Sequence, residues 1–187
     1  MLTDPVPRKS RSEYLKSDQI KTLDLPTDRS LQEVTAKLES AMKLGRMPEV
    51  RRYCEEFLTI ASQFYKVPRC GIRVLASRPL RVRENWTTEL FGDYTPDTMI
   101  IQVWMRTAVR KEITSFGTFF STLTHEFCHH LDFQLFHFPD SWHTRGFYER
   151  AAALYHHARG TPRKPLFWVR IGRERWRIDW QKTARGK

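Results

Sequence analysis

The chain has 187 residues, 40% of them hydrophobic and 13% aromatic, which suits one buried core and excludes a disordered chain. The three cysteines, Cys54, Cys70 and Cys128, are odd in number and form no CxxC pair, which argues against a disulfide framework or a cysteine-based zinc knuckle. No apolar run is long enough to span a bilayer and residues 1–28 contain no apolar signal core, so a cytoplasmic setting with no membrane partner is expected.

The formal net charge is +11, and most of it lies at one end. Residues 159–187 hold ten Lys or Arg against only Glu174 and Asp179. Such a patch is either a solvated surface or an electrostatic footprint for nucleic acid, so DNA is a candidate partner through this segment.

Residues 1–28 are polar and mixed in charge and read as a flexible N-terminal segment. Ser30 with Glu33 reads as a capping box that opens a helix. Leu31, Val34, Leu38 and Met42 follow at helical spacing, and Gly45 suits the stop. Pro48 is tolerated in a first turn, and Val50, Cys54, Phe57, Ala61 and Phe64 form the stripe of a second helix that ends at Val67-Pro68. The period then drops to two at Ile72 and Val74, which predicts a strand. Residues 80–91 are a further candidate strand. Gly92-Asp93 and Pro96-Asp97 read as turns, and residues 99–105 (MIIQVWM) as another strand.

Ser115 is the candidate N-cap of a long helix from Phe116 to about Phe136. A shorter helix is expected over residues 145–158, closed by Gly160 and Pro162. Residues 166–180 read as a β-hairpin turning near Gly172-Arg173. Trp176, Ile178 and Trp180 would share one face and Arg175, Arg177 and Asp179 the other. The order of elements predicts an α+β fold, with a folded domain over residues 29–160 and a basic, aromatic hairpin or tail over 161–187.

The chemistry centres on His125-Glu126-Phe127-Cys128-His129, an HExxH pattern. Histidines four apart share one helix face, so both imidazoles reach one ion. The intervening carboxylate can take a proton from water activated by that ion, which makes zinc the expected cofactor, Glu126 the general base and a protein or peptide the substrate. A catalytic zinc site needs a third protein ligand. Two candidates follow: His143, in a loop, and Glu149, inside the next helix. Imidazole and carboxylate both ligate zinc, so the chemistry leaves both open. His130 and Asp132 are candidates to orient a ligand imidazole. Tyr148, Tyr155 and Arg145 are candidates to support an oxyanion. Cys128 reads as a small core residue.

The HEFCHH helix, followed by a loop and then His143-Thr144-Arg145-Gly146-Phe147, resembles the SprT-like (Spartan-type) zincin metalloproteases, in which a third histidine opens an H-x-x-x-F segment. The resemblance covers about residues 50–160. After this histidine stands Thr-Arg-Gly where the family usually has Gly-Pro-Glu, and there are no cysteines for a C-terminal zinc ribbon. It implies a zincin-like minimal metalloprotease domain with N-terminal helices, a small twisted sheet, an active-site helix and a C-terminal β-hairpin. It implies His125, His129 and His143 as the zinc ligands and residues 98–105 as the edge strand beside the cleft. It also implies action on proteins attached to DNA. A ligand Glu149 would instead resemble the gluzincins. The expectation from another class is a non-catalytic, zinc-stabilised nucleic-acid-binding module, which would have no need of Glu126 and would usually fill four ligand positions.

Overall fold

The apolar spacing read in the first two long helices closes a helical hairpin in the computed structural model, which describes residues 1–83 and 86–186. Helix α1 spans Arg11–Gln19, α2 Ser30–Lys43 and α3 Met47–Tyr65. Leu31, Val34, Leu38 and Met42 of α2 and Val50, Cys54, Phe57 and Ala61 of α3 are all buried. Phe64 is not; Tyr65 takes its place in the core and donates its hydroxyl to the Asp24 carbonyl at 2.7 Å. Gly45, at φ +66°, ends α2 by returning its N–H to the Met42 carbonyl at 3.0 Å. The capping box at Ser30 does not form. Ser30 is already inside the helix and its N–H goes to the Asp28 carboxylate at 2.8 Å, a charged acceptor that suits the positive end of a helix.

Strand β1 runs Gly71–Ser77, β2 Leu80–Arg83, β3 Trp86–Glu89, β4 Gly92–Thr95 and β5 Ile100–Arg106. β2 and β3 form a separate antiparallel hairpin, so the candidate strand at 80–91 is two strands; its middle lies outside the described residues. The main sheet has the order β1-β5-β4, with β5 parallel to β1 and antiparallel to β4. Two expectations are corrected here. Gly92-Asp93 is not a turn but the start of β4, whereas the Pro96-Asp97 turn is present, closed by the Met99 N–H on the Pro96 carbonyl. Residues 98–105 do not supply an edge strand. β5 is the central strand, with Ile101, Val103 and Met105 buried, and the edge belongs to β4.

Helix α4 spans Phe116–Gln134, opened by Ser115, whose hydroxyl accepts the Thr118 N–H at 3.2 Å. Phe119, Phe120, Leu123, Phe127 and Leu131 turn one face of it to the core, where each such burial contributes about 1.5–3 kcal/mol. Helix α5 covers Arg145–Ala158 and packs on α4, α1 and α2. The C-terminal hairpin is β6, Trp168–Gly172, and β7, Arg175–Ile178, turning at Arg173-Glu174. Trp180 does not extend β7; it opens a short helix α6, Trp180–Arg185, capped by Asp179. Ile178 is buried, while Trp176 is partly covered by the Arg145 guanidinium 4.6 Å from its ring centre.

The reading of residues 1–28 as a flexible segment is also corrected. They hold α1, and residues 1–3 pair with β7 through Met1, Leu2 and Thr3. Polar composition misled here because the segment is held by hydrogen bonds more than by apolar burial. Among the described residues no helix is long and apolar enough to cross a membrane.

Candidate metal centre

A helix advances about 100° per residue, so His125 and His129 stand about 40° apart and about 160° from the core residue Phe127. Both rings therefore emerge on the side of α4 away from the core. His143 reaches the same point from the loop before α5. Its Nε2 lies 3.0 Å from His125 Nε2, which in turn lies 3.2 Å from His129 Nε2. The three side chains form a group able to hold one metal ion.

The far sides of two rings decide which nitrogen faces the centre. His129 Nδ1 is 2.7 Å from Ser141 Oγ, and Ser141 donates its own proton to Asp132 Oδ2 at 2.7 Å. Ser141 can therefore only accept from His129, which puts the imidazole proton on Nδ1 and the lone pair on Nε2. His143 Nδ1 is 3.3 Å from Asp4 Oδ2, a carboxylate that can only accept once ionised. Lone pairs then converge from His129 and His143 on His125. At two of the rings the surroundings favour the neutral form: burial, then the neighbouring His143, lowers His125 to about 3, and burial holds His129 well below its usual value. The two nitrogen separations at His125, 3.0 and 3.2 Å, are close to the roughly 3.3 Å between ligands of a small tetrahedral ion with metal–nitrogen bonds of about 2.0–2.1 Å.

Asp132 is fully buried, ion-paired to Arg150 at 2.7 Å, and stands behind the His129 ring through Ser141. His130 does not. It donates Nε2–H to the Pro68 carbonyl and accepts from the Tyr94 hydroxyl, each at 2.9 Å, and so fastens β4 to α4. Glu149 is absent from the centre: its carboxylate accepts from Arg163 at 2.6 Å and from the Trp168 indole at 3.4 Å.

Glu126 lies on the flank of α4 that meets β4. A Cβ built on Gly92 would come within 2.6 Å of its Oε1 and 2.4 Å of Thr122 Cγ2, so only glycine lets the strand lie this close. Burial, then the charge of Asp93, pushes the Glu126 carboxyl up to about 8. Glu126, the three histidines and Ser141 line a cavity of about 850 Å³ bordered by Gly92, Asp93 and Tyr94 of the β4 edge.

The remaining candidates are committed elsewhere. Arg145 pairs with Asp18, Tyr155 accepts from Arg159, and Tyr148 donates to the Leu2 carbonyl. Cys128 is buried with its thiol pushed up by that burial, as core packing predicts. Asp4 and Ser141 had gone unread in the sequence, where nothing local links them to a histidine. Comparison with protein families, curated proteins and solved structures finds no match.

Proposed function

We propose that the chain is a zinc-dependent endopeptidase of SprT-like type, with His125, His129 and His143 as ligands and Glu126 as general base. The observation that carries this reading is the convergence of three imidazole nitrogens beside a buried carboxyl group in a cavity that opens on a sheet edge. When bound, zinc acidifies water and polarises a carbonyl oxygen.

The chain supplies the rest. An extended peptide pairs its backbone with the β4 edge, which brings a carbonyl carbon over the three histidines. Glu126 takes a proton from the attacking water as the new C–O bond forms, then passes it to the amide nitrogen as the C–N bond breaks. Gly92 keeps that carboxylate within reach of the strand that holds the substrate. A second cavity of about 370 Å³ shares His125 and Trp180 with the first and is walled by Ala151, Tyr155, Leu166 and Ile178. It suits an apolar side chain of the substrate.

A gluzincin arrangement is disfavoured by the engagement of Glu149 with Arg163 and Trp168. A purely structural zinc module is disfavoured by the open cavity and by Glu126 within it. DNA is the proposed partner that brings substrate to the enzyme, because Arg173, Arg177, Lys182 and Arg185 stand exposed in the segment that carries Trp180 to the cavity.

The test is cleavage of an unfolded DNA-binding protein by zinc-loaded wild type and Glu126→Gln, with and without single-stranded DNA. Wild type is expected to cleave, faster with DNA. The variant is expected to keep its zinc and lose about 10²–10⁴-fold in rate. Equal rates in both proteins would defeat the assignment of Glu126, and a zinc-loaded wild type inert under all conditions would defeat the protease reading.

A further inference from the structure

We infer that Asp4 is a positioning residue of the metal centre: it holds His143 with Nε2 turned toward the ion and ties metal affinity to the clasp between residues 1–4 and the C-terminal hairpin. This rests on the metal-centre reading above and goes beyond its ligand set.

A single oxygen, Asp4 Oδ2, accepts the His143 backbone N–H at 2.8 Å and faces its ring Nδ1 at 3.3 Å. The Asp4 N–H returns to the His143 carbonyl at 3.0 Å. One residue thus fixes both the backbone and the ring of the ligand, although 139 positions separate them. A carboxylate behind a ligand imidazole selects the tautomer, orients the ring and raises its basicity toward the ion. Ser141 backed by Asp132 does the same for His129, so two ligands have matching supports from unrelated parts of the chain.

Asp4 reaches this position only because the residues before it are clasped. Thr3 donates its N–H to the Trp176 carbonyl, and Trp176 donates to Thr3 Oγ1, both at 2.9 Å. Ile178 donates to the Met1 carbonyl at 3.2 Å, which adds residues 1–3 to the edge of β7. The Tyr148 and Tyr14 hydroxyls hold the Leu2 and Asp4 carbonyls, each at 2.9 Å. Metal binding and this clasp are therefore linked in both directions: whatever loosens the hairpin edge frees His143, and a bound ion strengthens the clasp. If Asp4 were only a tether, its loss would lower stability and leave the ion's affinity and ligand field alone.

The experiment measures zinc affinity by chelator competition, and the cobalt absorption spectrum, on full-length wild type, Asp4→Asn, Asp4→Ala, Thr3→Val and Thr3→Val/Asp4→Ala. Asp4→Ala is expected to weaken zinc about 10–100-fold and to perturb the cobalt bands. Asp4→Asn should fall between, since its carbonyl oxygen still accepts Nδ1–H without the charge. Thr3→Val should weaken zinc by a smaller factor, and that loss should disappear in the Asp4→Ala background. Wild-type affinity and spectrum in Asp4→Ala would overturn the inference. Should Asp4→Ala not fold, the same result in Asp4→Asn would overturn it. A wild type that binds neither zinc nor cobalt would overturn the metal centre itself.

Discussion

Glu126 is 7% exposed and faces the charge of Asp93, and these two effects set a pH dependence on the metal-free fold. Its carboxyl titrates near 4.5 when free and is pushed up to about 8 in the folded chain. The folded state thus holds the proton more tightly. Stability from this group is fully present below pH 4.5 and is lost as pH rises through 8. Glu126→Gln cannot titrate. In chelator, it should therefore gain on wild type as pH rises from 5 to 9, by an amount on the order of a few kcal/mol. Denaturant titrations at pH 5, 7 and 9 check this, and a gap that stays constant with pH would contradict it. At this scale the sequence was partly readable. Four-residue spacing on a helix is a local rule, so the shared face of His125 and His129 followed from it. The convergence of His143 is a long-range contact, and spacing alone could not separate it from Glu149. Asp4 and Ser141 act through hydrogen bonds set by the tertiary fold, for which the chain carries no local signal.

β4 is the strand to which the proposed substrate pairing is assigned, and its residues look least like a strand. Gly-Asp is ordinary turn punctuation, yet Gly92 serves close approach: it lets the edge strand lie against Thr122 and Glu126. The rich β pattern of Ile100–Arg106 in turn identified a strand without its neighbours, and parallel pairing with β1 makes it central. Hydrophobic alternation reports burial of faces, not occupancy of edges. Gly92→Ala is expected to destabilise the protein by about 1–3 kcal/mol through overpacking and to slow cleavage sharply, because the new methyl displaces either the strand or the Glu126 carboxylate. Thr122→Ala in the same chain removes the 2.4 Å clash and leaves the 2.6 Å one on Glu126. Thermal melts should therefore recover in the double variant while cleavage stays slow. Wild-type cleavage by Gly92→Ala would remove β4 from the site.

Across the whole molecule, the candidate metal centre is joined to the fold by one chain of buried polar contacts. His129 leans on Ser141, Ser141 on Asp132, and Asp132 on Arg150, whose guanidinium also donates to the Ser17 and Ile20 carbonyls at the end of α1. α1, α4, α5 and the loop after α4 thus meet at a charge pair with side-chain exposures of 1% and 0%. Helix-by-helix reading recovered α4 and α5 nearly to the residue, but it treated α1 as lead-in because a nine-residue polar helix has no apolar stripe to betray it. The two ends of this chain of contacts should separate under mutation. Ser141→Ala removes the support behind His129 and leaves the ion pair intact, so zinc affinity should fall about 10–100-fold with little change in metal-free stability. Asp132→Ala strands the buried Arg150 charge, which should cost about 3–5 kcal/mol in metal-free stability as well as weakening zinc. Denaturant unfolding in chelator, paired with zinc competition on the same samples, distinguishes them. Loss of metal-free stability in Ser141→Ala comparable to that in Asp132→Ala would mean that the serine, not the ion pair, holds these helices together.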